Sequence, residues 1–190
     1  MPFATYVPFI LASLAVLLTP GPTNTILAAS SAAMGLRNAR LLPLAEAAGY
    51  AIAISAFLTA ASYLAQVEAA LPVLKCIAAV WLLFSAWKLW SQPVMQEVPD
   101  LSSAMKRVFV TTLLNPKAML VGTIIIPTFL PAQPISAVAC FICLSMTAGL
   151  AWITVGSMIP GRLRPYAYKT AAVIIGFFSF AAVSSAANLV

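Results

Sequence analysis

The chain has 190 residues, of which 63% are hydrophobic and only 7% charged, with a formal net charge of +6. At a mean hydropathy of +1.02 it is too apolar to fold as one water-soluble globule, which would need roughly a quarter of its residues charged. Its Lys and Arg residues are spread along short connections, as topology signals are, and not gathered into a nucleic-acid-binding patch.

Six apolar runs close to the length of a bilayer crossing cover approximately residues 3–29, 41–66, 71–90, 106–130, 133–159 and 166–189. They predict an all-α integral membrane protein of about six transmembrane helices, in a single transmembrane domain over 1–190. Met1-Pro2-Phe3-Ala4-Thr5 has no basic region, and the run behind it is too long for a cleaved signal. The first segment itself is expected to direct insertion.

That segment contains Leu18-Thr19-Pro20-Gly21-Pro22-Thr23-Asn24-Thr25. Pro20 and Pro22 have no N–H, so the carbonyls of Val16 and Leu18 lose their helical partners, and Gly21 permits the dihedrals of a break. Thr23, Asn24 and Thr25 are suited to capping a new half-helix. In lipid, such a break is tolerated only where the freed groups are buried in protein or line a cavity. Bare carbonyls attract an ammonium group or a cation, and bare N–H groups a carboxylate; an amino acid carries both charges. A structural kink without a ligand is the bland alternative.

In the second segment Glu46 is the one acid well inside a predicted helix, and Tyr50 shares its face one turn on. Glu46 could hold a substrate ammonium or carry a coupling proton; an interfacial acid beside Arg40 is the competing reading. The third segment runs to Trp87-Lys88. Beyond it, the polar stretch 91–105 reads as a flexible cytoplasmic loop between two halves, roughly 1–92 and 104–190.

The fourth segment is broken at Leu114-Asn115-Pro116-Lys117-Ala118, where Pro116 frees the carbonyl of Thr112 and Lys117 places an ammonium at membrane depth. A charge there is a functional candidate, with snorkelling to the interface as its alternative. Pro22 and Pro116 lie about half the chain apart, each beside an Asn in the first helix of its half. Three segments per half make the plan a 3+3 inverted repeat with proline-broken first and fourth helices.

In the fifth segment Cys140 and Cys143 form a C-x-x-C within an apolar run, without His, Asp or Glu nearby; they read as two small buried residues on one helix face. Small residues in the second helix (Ala45, Ala47, Ala48, Gly49) and in the sixth (Gly176, Ser184, Ser185, Ala187) allow close packing or homodimer contacts. Arg37 and Arg40, then Lys88, Lys106 and Arg107, then Arg162, Arg164 and Lys169 place the odd connections in the cytoplasm, and six full crossings then put both termini outside.

Taken in order, Leu18 to Asn24, Gly35-Leu36-Arg37, Ala45-Glu46-Ala47-Ala48-Gly49-Tyr50, Leu74-Lys75 to Trp87-Lys88, and Asn115-Pro116-Lys117-Ala118 with Pro127-Thr128-Phe129 resemble the LysE/RhtB superfamily of bacterial amino-acid exporters. The resemblance covers most of residues 10–130; beyond Gln133 only hydropathy matches. It implies a multi-pass protein of the bacterial inner membrane that exports an amino acid or related small metabolite, driven by the proton gradient, with no cofactor. The substrate-binding positions it implies are Pro20, Gly21, Pro22, Asn24, Asn115, Pro116 and Lys117, and Thr23, which lies among them, is counted with the same site. Two departures stand out. Gly49-Tyr50 replaces a common Gly-Asp, which leaves Glu46 to take over the carboxylate's role, and Ala78 and Ala86 stand where glycines are common.

A membrane thiol–disulfide electron carrier would need cysteines beside both breaks, and there are none. A membrane-embedded hydrolase would need His, paired acids or a Ser/Lys arrangement. A metal-ion exporter would need clustered acids, His or Cys.

Overall fold

A computed structural model describes residues 3–64, 70–91 and 100–187. The described residues form helices and no strand. In chain order these are α1 (Phe3–Leu18), α2 (Pro22–Met34), a short α3 (Leu36–Ala39), α4 (Leu42–Leu64) and α5 (Ala70–Trp90). They continue with α6 (Leu101–Leu113), α7 (Pro116–Leu120), a π-helical turn (Val121–Ile125), α8 (Ile126–Phe129), α9 (Pro134–Ser157), a 3₁₀ stretch (Gly161–Tyr166) and α10 (Ala167–Ala187). Glu68, Glu97 and the stretch Gln92 to Pro99 lie outside the described residues, as do the side chains of Lys75, Ala78, Ser184, Ser185 and Ala187.

Leu36–Ala60 and Pro134–Ser157 are each long and apolar enough to cross a membrane. Two further crossings are bent: Tyr6–Leu18 with Pro22–Met34 at 57°, and Leu101–Leu113 with Pro116–Phe129 at 42°. Both bends fall at the proline breaks, where the missing N–H groups interrupt the helical ladder. Among the described residues this gives up to four spans, and Ala167–Phe177 is a shorter apolar helix.

The fourth segment departs from its expected boundaries. Its helix begins at Leu101 because Asp100 caps it, accepting from the N–H of Ser102 at 2.7 Å and that of Ser103 at 3.3 Å. That gives the first turn the partners it lacks. The Ser103 hydroxyl donates to the same carboxylate, and these bonds, the hydroxyl's first, hold the Asp100 carboxyl below its ordinary range.

Packing is close where side chains are small. A Cβ at Gly156 of α9 would collide with the backbone carbonyl of Ala28 in α2. One at Gly49 of α4 would sit 2.8 Å from Thr112 Cβ and 3.0 Å from the Phe109 carbonyl of α6. These glycines set how closely α9 approaches α2 and α4 approaches α6. One buried cluster gathers Ile26, Leu27, Val108, Ile153 and Ile175; a second gathers Phe9, Tyr50, Ile54, Ile126 and Phe141. Outward-facing Val80, Ile135, Phe177 and Phe180 are each more than two-thirds exposed, an apolar coat that belongs in lipid.

α5 lies along α10, and Ala86 is buried there. At the C-terminal end of α5 the Lys169 ammonium donates to the Trp90 carbonyl and sits 5.0 Å from the Trp90 ring. On α9, Cys140 is half-buried and Cys143 exposed, both free. The expected burial of the pair is therefore corrected: the two are neighbours on one face of α9, and that face looks out of the bundle at Cys143.

Candidate functional site

The two breaks meet. Thr23, in the first turn of α2, is fully buried and accepts from Asn115 Nδ2 at 2.8 Å, with Thr112 Oγ1 a further 3.3 Å away. Asn115 performs two tasks, since its Oδ1 accepts the N–H of Lys117 at 3.0 Å and so caps α7. Pro116 follows as the first residue of α7, where its missing N–H costs nothing.

Lys117 crosses the junction in the other direction. Its Nζ donates over 2.5 Å to the carbonyl of Thr19, beside the break, and not to the Val16 or Leu18 carbonyl expected from the prolines. Gly21 makes room for this: a Cβ there would lie 2.9 Å from Lys117 Cε and 3.0 Å from Nζ. The backbone of Gly21 is extended, with φ −168° and ψ 175°, a conformation open to any residue. The expectation that glycine serves the dihedrals of the break is corrected; it serves the space beside the ammonium.

Capping is also distributed differently from the expectation. The N-cap of α2 is Gly21, without a side-chain hydrogen bond. Asn24 reaches backwards instead, donating to Leu17 O at 2.8 Å and Thr19 O at 2.9 Å. The indole of Trp152 on α9 adds a 3.3 Å bond to Leu17 O. Pro22 occupies the first helical position, so Asn24 stands far enough along that its amide faces the carbonyls of α1. Thr25 bonds the Gly21 carbonyl at 2.8 Å. Pro20 is exposed and Pro22 buried.

Glu46, in the first turns of α4, is 1% exposed, and its Oε2 has no hydrogen-bond partner. The reading of it as an interfacial acid is corrected by this burial. No ion pair within 4.0 Å joins it to Lys117. Gly149 of α9 stands against the carboxylate, where a Cβ would come within 2.6 Å of Oε2. One turn along, Tyr50 is fully buried with its hydroxyl unpartnered and its ring edge-on to Phe141 at 5.3 Å.

An unpartnered buried carboxylate must be neutralised by a proton or a cation. Sequence reasoning missed Thr19, Thr112, Trp152 and Gly149. Thr112 stands one turn before Pro116, a detectable signal; Trp152 and Gly149 lie in a segment with no local mark of a site. Among the described residues no three His, Cys, Asp or Glu are grouped to hold a metal.

The fold and the site define a helical membrane protein with two kinked crossings locked together by polar side chains. The LysE type translocator family model matches residues 14–189, nearly the whole chain, and the chain belongs to that family. It is therefore a membrane translocator of a family of transporters that export amino acids or related compounds. Neither the curated proteins nor the solved structures contain a match to it.

Proposed function

We propose that the protein is a secondary transporter that exports an amino acid or a closely related small metabolite from the cytoplasm by proton antiport. It would sit in the bacterial inner membrane with six crossings, arranged as two halves over 1–92 and 104–190. The observation that carries this reading is the reach of the Lys117 ammonium across the junction to the Thr19 carbonyl, which Asn24 also holds, near a buried Glu46 whose Oε2 lacks a partner.

The chemistry matches a zwitterion. Its carboxylate would take over the Lys117 ammonium, aided by the Asn115 and Thr23 side chains. Its ammonium would take the Glu46 carboxylate or the carbonyls of Leu17 and Thr19 that Asn24 now holds. Glu46 then serves antiport through competition: substrate ammonium and proton neutralise the same carboxylate in turn, so that binding of one releases the other. Broken helices are a recurrent site of this kind in transporters.

Cells loaded with dipeptides test the proposal. With the protein present, at least one amino acid is expected to leave faster than without it, and Lys117→Ala and Glu46→Gln are expected to abolish the difference. If no amino acid leaves faster, or both variants export like the wild type, the reading fails.

A further inference from the structure

A second polar region lies away from the breaks. α5 packs along α10 and stands apart from α6, leaving a crevice of about 460 Å³ with Ile26 of α2 on its wall. Lys88, Lys106 and Arg107 line one end of it. Ser103 lines the rim and its hydroxyl donates to Asp100 outside the crevice, so the lining itself carries three cations and no carboxylate. Arg107 also stacks over the Tyr168 ring at 5.5 Å.

The lining changes character with depth. α5 runs towards the cations and α6 runs away from them, so Trp81 stands two turns below Lys88, about 10 Å down the helix. Val110 and Thr111 stand one turn below Lys106 and Arg107. The lower walls are thus Trp81, Phe84, Ile26 and Val110. Two donors in this lining have no partner: the fully buried Thr111 hydroxyl and the Trp81 indole N–H. Buried donors are rarely left unmade.

We infer that this crevice binds an anionic phospholipid. Lys88, Lys106 and Arg107 hold the phosphate, Thr111 donates to an ester oxygen one turn beneath it, and the acyl chain runs down past Phe84 to Trp81 and Ile26. Segregation of cations above an apolar wall fits an amphiphile; a small hydrophilic anion has no use for the lower half. Basic pockets between membrane helices are suited to anionic headgroups. The site is separate from the transport junction, so its failure would leave the export reading untouched.

Native mass spectrometry of the wild-type protein, given equal amounts of phosphatidylglycerol and phosphatidylcholine with the same chains, tests this. Phosphatidylglycerol adducts should dominate by roughly tenfold, and the preference should vanish in Lys88→Gln/Lys106→Gln. Bromine in the chains of bound phosphatidylglycerol should quench the fluorescence of the wild type more than that of Trp81→Phe. Equal retention of the two lipids by the wild type overturns the proposal, and that comparison needs no variant to fold. A preference that survives in the double variant also overturns it. So does displacement of the lipid by inorganic phosphate, which would mark a site for free anions.

Discussion

Asn115 Nδ2 donates to Thr23 Oγ1 over 2.8 Å while Asn115 Oδ1 caps α7, so one side chain fastens both broken helices at their kinks. Asn115→Ala removes the cap and the interhelical bond together. A loss of about 1–2 kcal/mol in apparent stability is expected, read as a lower thermal midpoint in detergent. Thr23→Ala should cost less, near 0.6 kcal/mol, and the two losses should not add because they share one bond.

Gly21→Ala separates space from conformation. The extended backbone accepts alanine, and the group in its way is the flexible end of Lys117. The variant is expected to fold with a midpoint close to wild type but to lose export, because the ammonium is pushed off Thr19. Parallel unfolding and efflux measurements check this; normal efflux would mean that the position of Lys117 does not matter.

Glu46→Gln replaces a buried acid with a neutral amide of the same shape. Its thermal midpoint should not fall, since no ion pair is broken, yet export should disappear. Gly149→Ala tests the same carboxylate from α9: with Oε2 2.6 Å from the new methyl, Glu46 must shift, and export should fall without any change in titratable groups.

Gly35→Ala probes the backbone after α2. Gly35 has φ 82° and ψ 154°, a region held almost only by glycine, and no atom crowds its Cβ position. The cost of about 1–3 kcal/mol is therefore conformational, and it should appear in stability with the substrate profile unchanged.

The start of α6 should depend on pH. The folded-state pKa of Asp100 is lowered by the Ser103 hydroxyl and the Ser102 N–H. The stabilisation is accordingly present above the unfolded-state pKa and lost as pH falls through the folded-state value. Amide exchange at Ser102 and Ser103, corrected for intrinsic rates, should accelerate on acidification in the wild type. In Asp100→Ala it should be fast throughout.

Both kinks were legible in the residues, because the effect of proline on a helix is local: Pro20, Pro22 and Pro116 mark the bends wherever the helices end up. That the kinks meet was not legible. The contacts of Thr23 with Asn115 and of Thr19 with Lys117 depend on how α2 packs against α6, which Gly49 and Gly156 govern through close approach to α4 and α9. Counting apolar residues also misplaced the start of α6, since the cap at Asp100 lies in a polar stretch. The π-helical turn after Leu120 has no composition of its own; it brings Gly122 against α4, where a Cβ would lie 2.7 Å from Phe57 Cβ. Gly149 and Trp152 became site residues only through the position of α9.

Reconstituted vesicles offer the most direct measurement. Protein is placed in liposomes with an acidic lumen and neutral exterior, and a mixture of the proteinogenic amino acids is supplied outside. Outward proton flow should draw at least one amino acid inward in wild-type vesicles, and Glu46→Gln vesicles should show none of this accumulation. Accumulation no greater than in protein-free liposomes, or equal accumulation with Glu46→Gln, would contradict export coupled through the buried carboxylate.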